Sequence, residues 1–170
     1  NLNNFLKSKN IIKNIISKNQ INYKSKKLGK TLIDELRLNI IFAYGNARFT
    51  KETFLLDGTL ICDGDINLLE DFPILFFNCK FVTNNKKKFL KNFSVKLKDK
   101  NQKFEINFEG NINILNKKIN FLKIGMDDSY LASKDDLKYF KNVFENTLLD
   151  GSFLNILNLK KIKEFVLEIS

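Results

Sequence analysis

From Leu36 onward the sequence alternates apolar and polar residues with a period of two, and it holds that rhythm for about ninety residues. Leu36, Leu38, Ile40, Phe42 and Tyr44 alternate with Arg37, Asn39, Ile41 and Ala43, and Gly45-Asn46 ends the run. A second strand is expected over 47–56. Along 59–67, Leu60, Cys62 and Ile66 share one parity, with Asp63 and Asp65 on the other. Leu75, Phe77, Cys79 and Phe81 are the apolar parity of 73–82, and Asn84–Lys88 follows as a polar turn. Phe93, Val95 and Leu97 alternate with lysines and Ser94, and Asp99-Lys100-Asn101 turns the chain again. Phe104, Ile106, Phe108, Ile112 and Ile114 make the longest alternation, and Asn116-Lys117 closes a hairpin into 118–125.

Strands that are apolar on one side and polar on the other belong to an antiparallel sheet covered on one face. A parallel α/β sheet needs helices between its strands, and no helical period is visible between 36 and 130. The expected fold is therefore mainly β with C-terminal helices: an antiparallel meander, or a curved open sheet with one apolar face. Within it, Asp63-Gly64-Asp65-Ile66-Asn67-Leu68 is echoed by Glu109-Gly110-Asn111-Ile112-Asn113-Ile114, which suggests a repeated β unit.

The period changes at Ser133. Ser133-Lys134-Asp135-Asp136 has the form of a capping box, and Leu137, Phe140, Val143, Phe144 and Leu148 then fall on one helical face up to Asp150-Gly151. Ile162, Phe165, Val166 and Ile169 mark a last amphipathic helix over 159–169. Ahead of the sheet, Ile11, Ile12, Ile15 and Ile16 have helical spacing, which predicts a short helix over 10–18. The chain thus divides into a basic segment 1–32, a sheet 33–130 and a helical cap 131–170.

Charge narrows the partners. The net charge of +10 invites nucleic acid, but eight of the 29 basic residues lie in the first 30 positions, where there is no acid. The remaining 21 face 19 acids, so the body is nearly neutral. Only Phe5 and Tyr23 could stack bases beside Lys7–Lys30, which argues against a specific nucleic-acid partner and for a solvated face. The excess of Lys, Asn, Ile and Phe is also what an AT-rich genome produces.

Catalytic chemistry has little to stand on. There is no His, so there is no imidazole base, triad or His metal ligand. The sequence has no P-loop and no dinucleotide fingerprint, and two cysteines cannot close a structural zinc site. Asp63 with Asp65, and Asp127 with Asp128, are ordinary surface acids before they are cation ligands. No catalytic residue, metal or cofactor is expected. If 59–67 and 73–82 form a hairpin, Cys62 and Cys79 face each other on the apolar side. The plainer reading is two buried thiols acting as small hydrophobes; a disulfide requires an oxidising compartment.

The runs Leu56–Phe81 and Phe104–Phe121, with the tail Ser133–Ser170, resemble the C-terminal part of AsmA-like bacterial envelope proteins. That resemblance implies a repeating β-groove with an apolar concave side, anchored in the inner membrane by an N-terminal helix and projecting into the periplasm. It implies phospholipid transport or outer-membrane assembly, and no catalytic residues. Beginning at Asn1 with no anchoring helix, the chain is expected to be a fragment whose membrane association lies upstream. The candidate lipid-contacting face carries Leu60, Cys62, Ile66, Leu75, Phe77, Phe81, Phe93, Val95, Leu97, Phe104, Ile106, Phe108, Ile112 and Ile114. The rival expectation is an interaction domain whose apolar face is closed by its own helices. Residues 1–30 offer little to cover that face, and two helices are too short to hide six or more strands.

Overall fold

The computed structural model describes residues 2–25, 33–55, 57–93, 102–127, 129–150 and 159–168. Its body is one eight-stranded antiparallel sheet whose strand order is the chain order. The strands are β1 (Ile16–Lys24), β2 (Ile33–Ala43), β3 (Asn46–Leu55), β4 (Gly58–Asn67), β5 (Ile74–Thr83), β6 (Phe104–Asn113), β7 (Lys118–Met126) and β8 (Tyr130–Leu131). The helices are α1 (Leu2–Lys7), α2 (Lys9–Asn14), α3 (Lys86–Lys91), α4 (Lys134–Phe144) and α5 (Leu159–Glu168). A π-helical turn, Glu145–Leu149, continues α4.

Turn chemistry sets the register. Ala43 pairs with Asn46, leaving Tyr44 and Gly45, both at positive φ, as the two-residue turn that suits a twisted hairpin. Asn113 accepts from the Leu115 and Asn116 amides at 3.1 and 3.2 Å and bends the chain from β6 toward β7. A bulge in β7 then sets Leu122 outside the pairing. Ile119 and Phe121 before it, and Ile124 after it, therefore all bury on one face, while Leu122 is exposed.

Pairing brings the apolar parities into rows across the sheet. One row runs Ile21, Leu38, Lys51, Cys62, Cys79, Phe108, Ile124. The next runs Asn19, Ile40, Phe49, Gly64, Phe77, Gly110, Phe121. The opposite face is largely charged or amide-bearing, so the sheet is one-sided as its alternation predicts.

Three groups of helices cover parts of the apolar face. Leu6 of α1 and Ile12 of α2 bury against Ala47, Ile66 and Leu68 at one end of the strands. Phe89 of α3, and Phe93 just after it, bury with Phe81 and Phe104 at the other end. Leu137, Phe140 and Phe144 of α4, with Leu149 of the π turn, pack on Ile112, Ile119, Phe121 and Ile124.

The N-terminal part differs from expectation. Helix α2 stops at Asn14, and Ile16–Lys24 is a strand on β2. Of the four isoleucines with helical spacing only Ile12 buries, so one side chain is all the helix gains there. Residues 1–30 also cover the sheet more than expected, through Leu6 and Ile12. Helix α3 lies where a polar turn, and no helix, was expected. Phe93 follows it in a turn, so it is not a strand residue, although it is 2% exposed and packs on the same face. Val95 and Leu97 lie outside the described residues.

Candidate functional site: the uncovered half of the apolar face

The remaining groove candidates divide among the three covered regions. Leu60 and Ile106 adjoin the Phe81, Phe93 and Phe104 cluster beneath α3. Ile66, Leu75 and Ile114 belong to the end closed by α1 and α2. Phe77, Phe108 and Ile112 belong to the cluster under α4. Phe77 meets Phe108 and Phe121 edge to face, both at 6.3 Å between ring centres, and Phe121 meets Phe144 at 5.7 Å. Phe77 and Phe108 are thus half-buried members of the cluster that α4 joins over β7.

Cys62 and Cys79 are direct partners in the β4–β5 register, with Cα atoms 4.1 Å apart, and they are joined as a disulfide. The facing pair expected from the sequence is there, and its oxidation, which the sequence left open, is a cross-link in the middle of the apolar face.

Helical cover weakens toward β1. Leu38, Ile40 and Phe49 belong to none of the three clusters among the described residues, and Ile21 and Tyr23 on β1 are 50% and 49% exposed. An open cleft of about 680 Å³ lies over this part of the sheet. It is bounded by Phe5, Ile15, Ser17, Asn19, Ile21, Ile40 and Phe42, among others. Among the described residues, the open half of the face is the part over β1 and β2 that carries Ile21, Leu38 and Ile40, while Ala47 and Thr53 of β3 are buried.

Two polar side chains of β3 stand beside the open half, and the sequence reading passed over both. Lys51 of β3 pairs with Leu38 and Cys62, on the apolar parity. Burial pushes its ammonium below the usual lysine range, and burial is the one cause. Two residues along the strand, Thr53 is 2% exposed and its Oγ1 has no hydrogen-bond partner among the described residues. Treating 47–56 as a strand without assigning its parity hid this pair. Counting on in twos from Ala47, opposite Phe42, places both inward.

Asp63 and Asp65 lie exposed on the opposite face. Asp127 takes the Glu105 amide at 2.8 Å, closing the sheet beside β7, and Asp128 lies outside the described residues. Among the described residues no helix is long and apolar enough to cross a membrane, and no three metal-ligating side chains gather. No family model matches the chain, and neither a curated protein nor a solved structure shows significant similarity to it.

Proposed function

We propose that this chain is a non-catalytic groove segment that shelters acyl chains on the open half of its apolar face. The carrying observation is the cleft over β1 and β2, floored by Ile21, Ile40 and Phe42 and continuous with Leu38 and Phe49. An apolar strip left open on an otherwise polar surface is where a ligand or partner gains from burial. Each methylene sheltered there contributes about 0.8 kcal/mol, so a fatty chain needs little polar recognition.

In this reading the chain belongs to a cell-envelope protein that moves phospholipid or assists outer-membrane assembly, in the periplasm, and is tied to the inner membrane by a segment outside this chain. The Cys62–Cys79 disulfide favours that setting, since such bonds persist in oxidising compartments. The lipid contacts shift from the residues under α3 and α4 toward Ile21, Leu38, Ile40 and Phe49.

Photo-crosslinking side chains at Ile40, Phe49 and Phe108, in the full chain mixed with phospholipid vesicles, test the reading. Adducts are expected at Ile40 and Phe49 and few at Phe108, which packs into the cluster of Ile112, Phe121 and Ile124. Silence at Ile40 and Phe49 would reject the proposal. The second reading, an interaction domain with a closed core, draws on the packing of Phe77 and Phe108 into the cluster that α4 joins. It expects lipid adducts at none of the three positions.

A further inference from the structure

A sheet that does not close has two edges, and the two edges here are unlike. At one stands β8, two residues long, with α4 packed over β7 beside it. At the other stands β1, nine residues long, with every residue but Ser17 exposed. A long open edge presents a row of unpaired N–H and C=O groups, which is a template for another strand. The register says which groups these are. The Ser25 amide donates to the Asp34 carbonyl at 2.9 Å, one step beyond the Lys24–Glu35 pair, so Ser25 points its backbone at β2. In an antiparallel ladder successive residues point alternately toward and away from the partner strand. Ile16, Lys18, Gln20, Asn22 and Lys24 therefore point theirs outward. Among the described residues no turn, loop or helix cap meets those five backbones. The open cleft is bounded by the run 17–21, residues of both parities, so it reaches this edge as well as the apolar side.

We propose that β1 pairs antiparallel with β1 of a second copy of this chain, about a two-fold axis between the facing Gln20 residues. In that register Ile16 faces Lys24 of the other copy, Lys18 faces Asn22 and Gln20 faces Gln20. All five outward residues of one strand then meet all five of the other, and each facing pair exchanges two N–H···O=C bonds. The charges select the same register. Strand β1 carries Lys18 and Lys24 and no acid. Shifting the pairing by two residues one way sets Lys18 opposite Lys24. Shifting it the other way sets Lys24 opposite Asn14, which ends α2 and is not in the strand. In the centred register the lysines approach only diagonally, at about 7–8 Å. The contact is isologous and closes at two copies. Its axis passes through the sheet from one face to the other, so both apolar faces stay on one side: Asn19 faces Ile21 of the other copy, and Ser17 faces Tyr23. The open side of each cleft then adjoins the other copy. Backbone groups carry this inference, so it stands whether or not acyl chains fill the cleft.

Sedimentation equilibrium of the full chain at rising concentration is the test. The mass should climb from one chain toward two and stop there. Added salt, by screening Lys18 from Lys24, should tighten the pair, and loosening in salt would overturn this register. Gln20→Pro removes a donor at the centre of the contact, and its N–H faces away from β2, where an edge strand tolerates proline. Association should weaken about tenfold or more. A second measurement reads the register without that variant. Chains carrying Asn19→Cys and Ile21→Cys are mixed and oxidised, with Cys62 and Cys79 already joined to each other. Positions 19 and 21 of opposite copies face each other at about 4.5 Å between Cα atoms, whereas like positions stand on a diagonal, so the mixture should cross-link faster than either chain alone. A single-chain mass at every concentration up to about 1 mM overturns the pairing. So does a dimer that Gln20→Pro leaves unchanged, or a mixture that cross-links no faster than its components. Masses that climb beyond two chains overturn the closed arrangement.

Discussion

Gly64 and Gly110 explain at the residue scale why both copies of the repeated run place a glycine after the acid. In the row across the sheet they alternate with Phe49, Phe77 and Phe121. A methyl group on Gly64 would stand 2.2 Å from the Phe76 carbonyl oxygen and 2.5 Å from the Phe49 ring. On Gly110 it would stand 2.5 Å from the Asn120 carbonyl oxygen and 2.7 Å from the Phe77 ring. Each glycine makes room for a phenylalanine of the preceding strand to lie over it. Because part of each clash is with backbone, Gly64→Ala and Gly110→Ala should each lower unfolding free energy by about 1–3 kcal/mol, measured by urea titration. Thr53→Val should act in the other direction. It replaces an unpartnered buried hydroxyl with a methyl of the same shape, and a gain of about 1 kcal/mol is expected in the same titration. Asn67 and Asn113, three residues beyond the two glycines, repeat the equivalence: each side chain accepts from the amide two residues on, at 3.0 and 3.1 Å. The sequence echo is therefore a pair of β-units ending in the same turn.

Among the elements, α4 is the one whose start was written most plainly. Ser133 accepts from the Asp136 amide at 3.2 Å, while the Asp136 carboxylate takes the Ser133 amide at 2.9 Å, closing the capping box. The Ser133 amide, the Ser133 hydroxyl and the Tyr130 hydroxyl all donate to Asp136 and hold its carboxyl below the usual range. A carboxyl whose pKa is depressed on folding stabilises the fold above its unfolded pKa, and that stabilisation is lost as pH falls through the lower, folded value. Acid titration followed by circular dichroism should show helix melting at higher pH in Asp136→Asn than in the unaltered chain. Ser133→Ala should cost about 1 kcal/mol. Helix α3 had a fainter sign. Its six residues carry no period, and Asn85, whose side chain accepts from the Lys88 amide at 2.8 Å, was its only sequence marker. Phe89 and Phe93 hold it: the Phe89 ring centre is 4.5 Å from that of Phe81 and 5.1 Å from that of Phe93. Long-range aromatic packing of that kind leaves no local pattern. Strand β1 was hidden differently: Ile16, Ile21 and Tyr23 are about half exposed or more, so its alternation is diluted by the polar residues an edge strand tolerates.

Taken as a whole molecule, the one-sided sheet was legible because five successive strands keep their parity from turn to turn. The candidate groove was only half legible, because parity says which side of a strand is apolar but not which stretch of that side the helices cover. Lys51 shows the limit: its inward position follows from register, while its apolar cross-strand neighbours, Leu38 and Cys62, follow from three strands at once. The disulfide belongs to this scale too, since it links two neighbouring strands near the middle of the sheet. Its 17-residue separation predicts that reduction lowers stability by about 3 kcal/mol, seen as a shift in the urea midpoint when reductant is added.

The strand order, β1 to β8 without a crossover, also bears on how the chain acquires its shape. Every strand pairs only with the strand before or after it, so apart from the β5–β6 connection, which carries α3, each loop closed is short, and the entropy spent before a pairing is rewarded stays small. A sandwich must bring together strands from opposite ends of the chain; here a single hairpin can serve as a seed to which neighbours attach one by one in either direction. Refolding after a denaturant jump should therefore fall toward the fast end of the range for sheet proteins, nearer milliseconds than seconds. The hairpin of β4 and β5, closed by its own cross-link, is the natural seed: in the oxidised chain it starts with its two strands tethered, and reduction should slow the refolding rate as well as lower the midpoint.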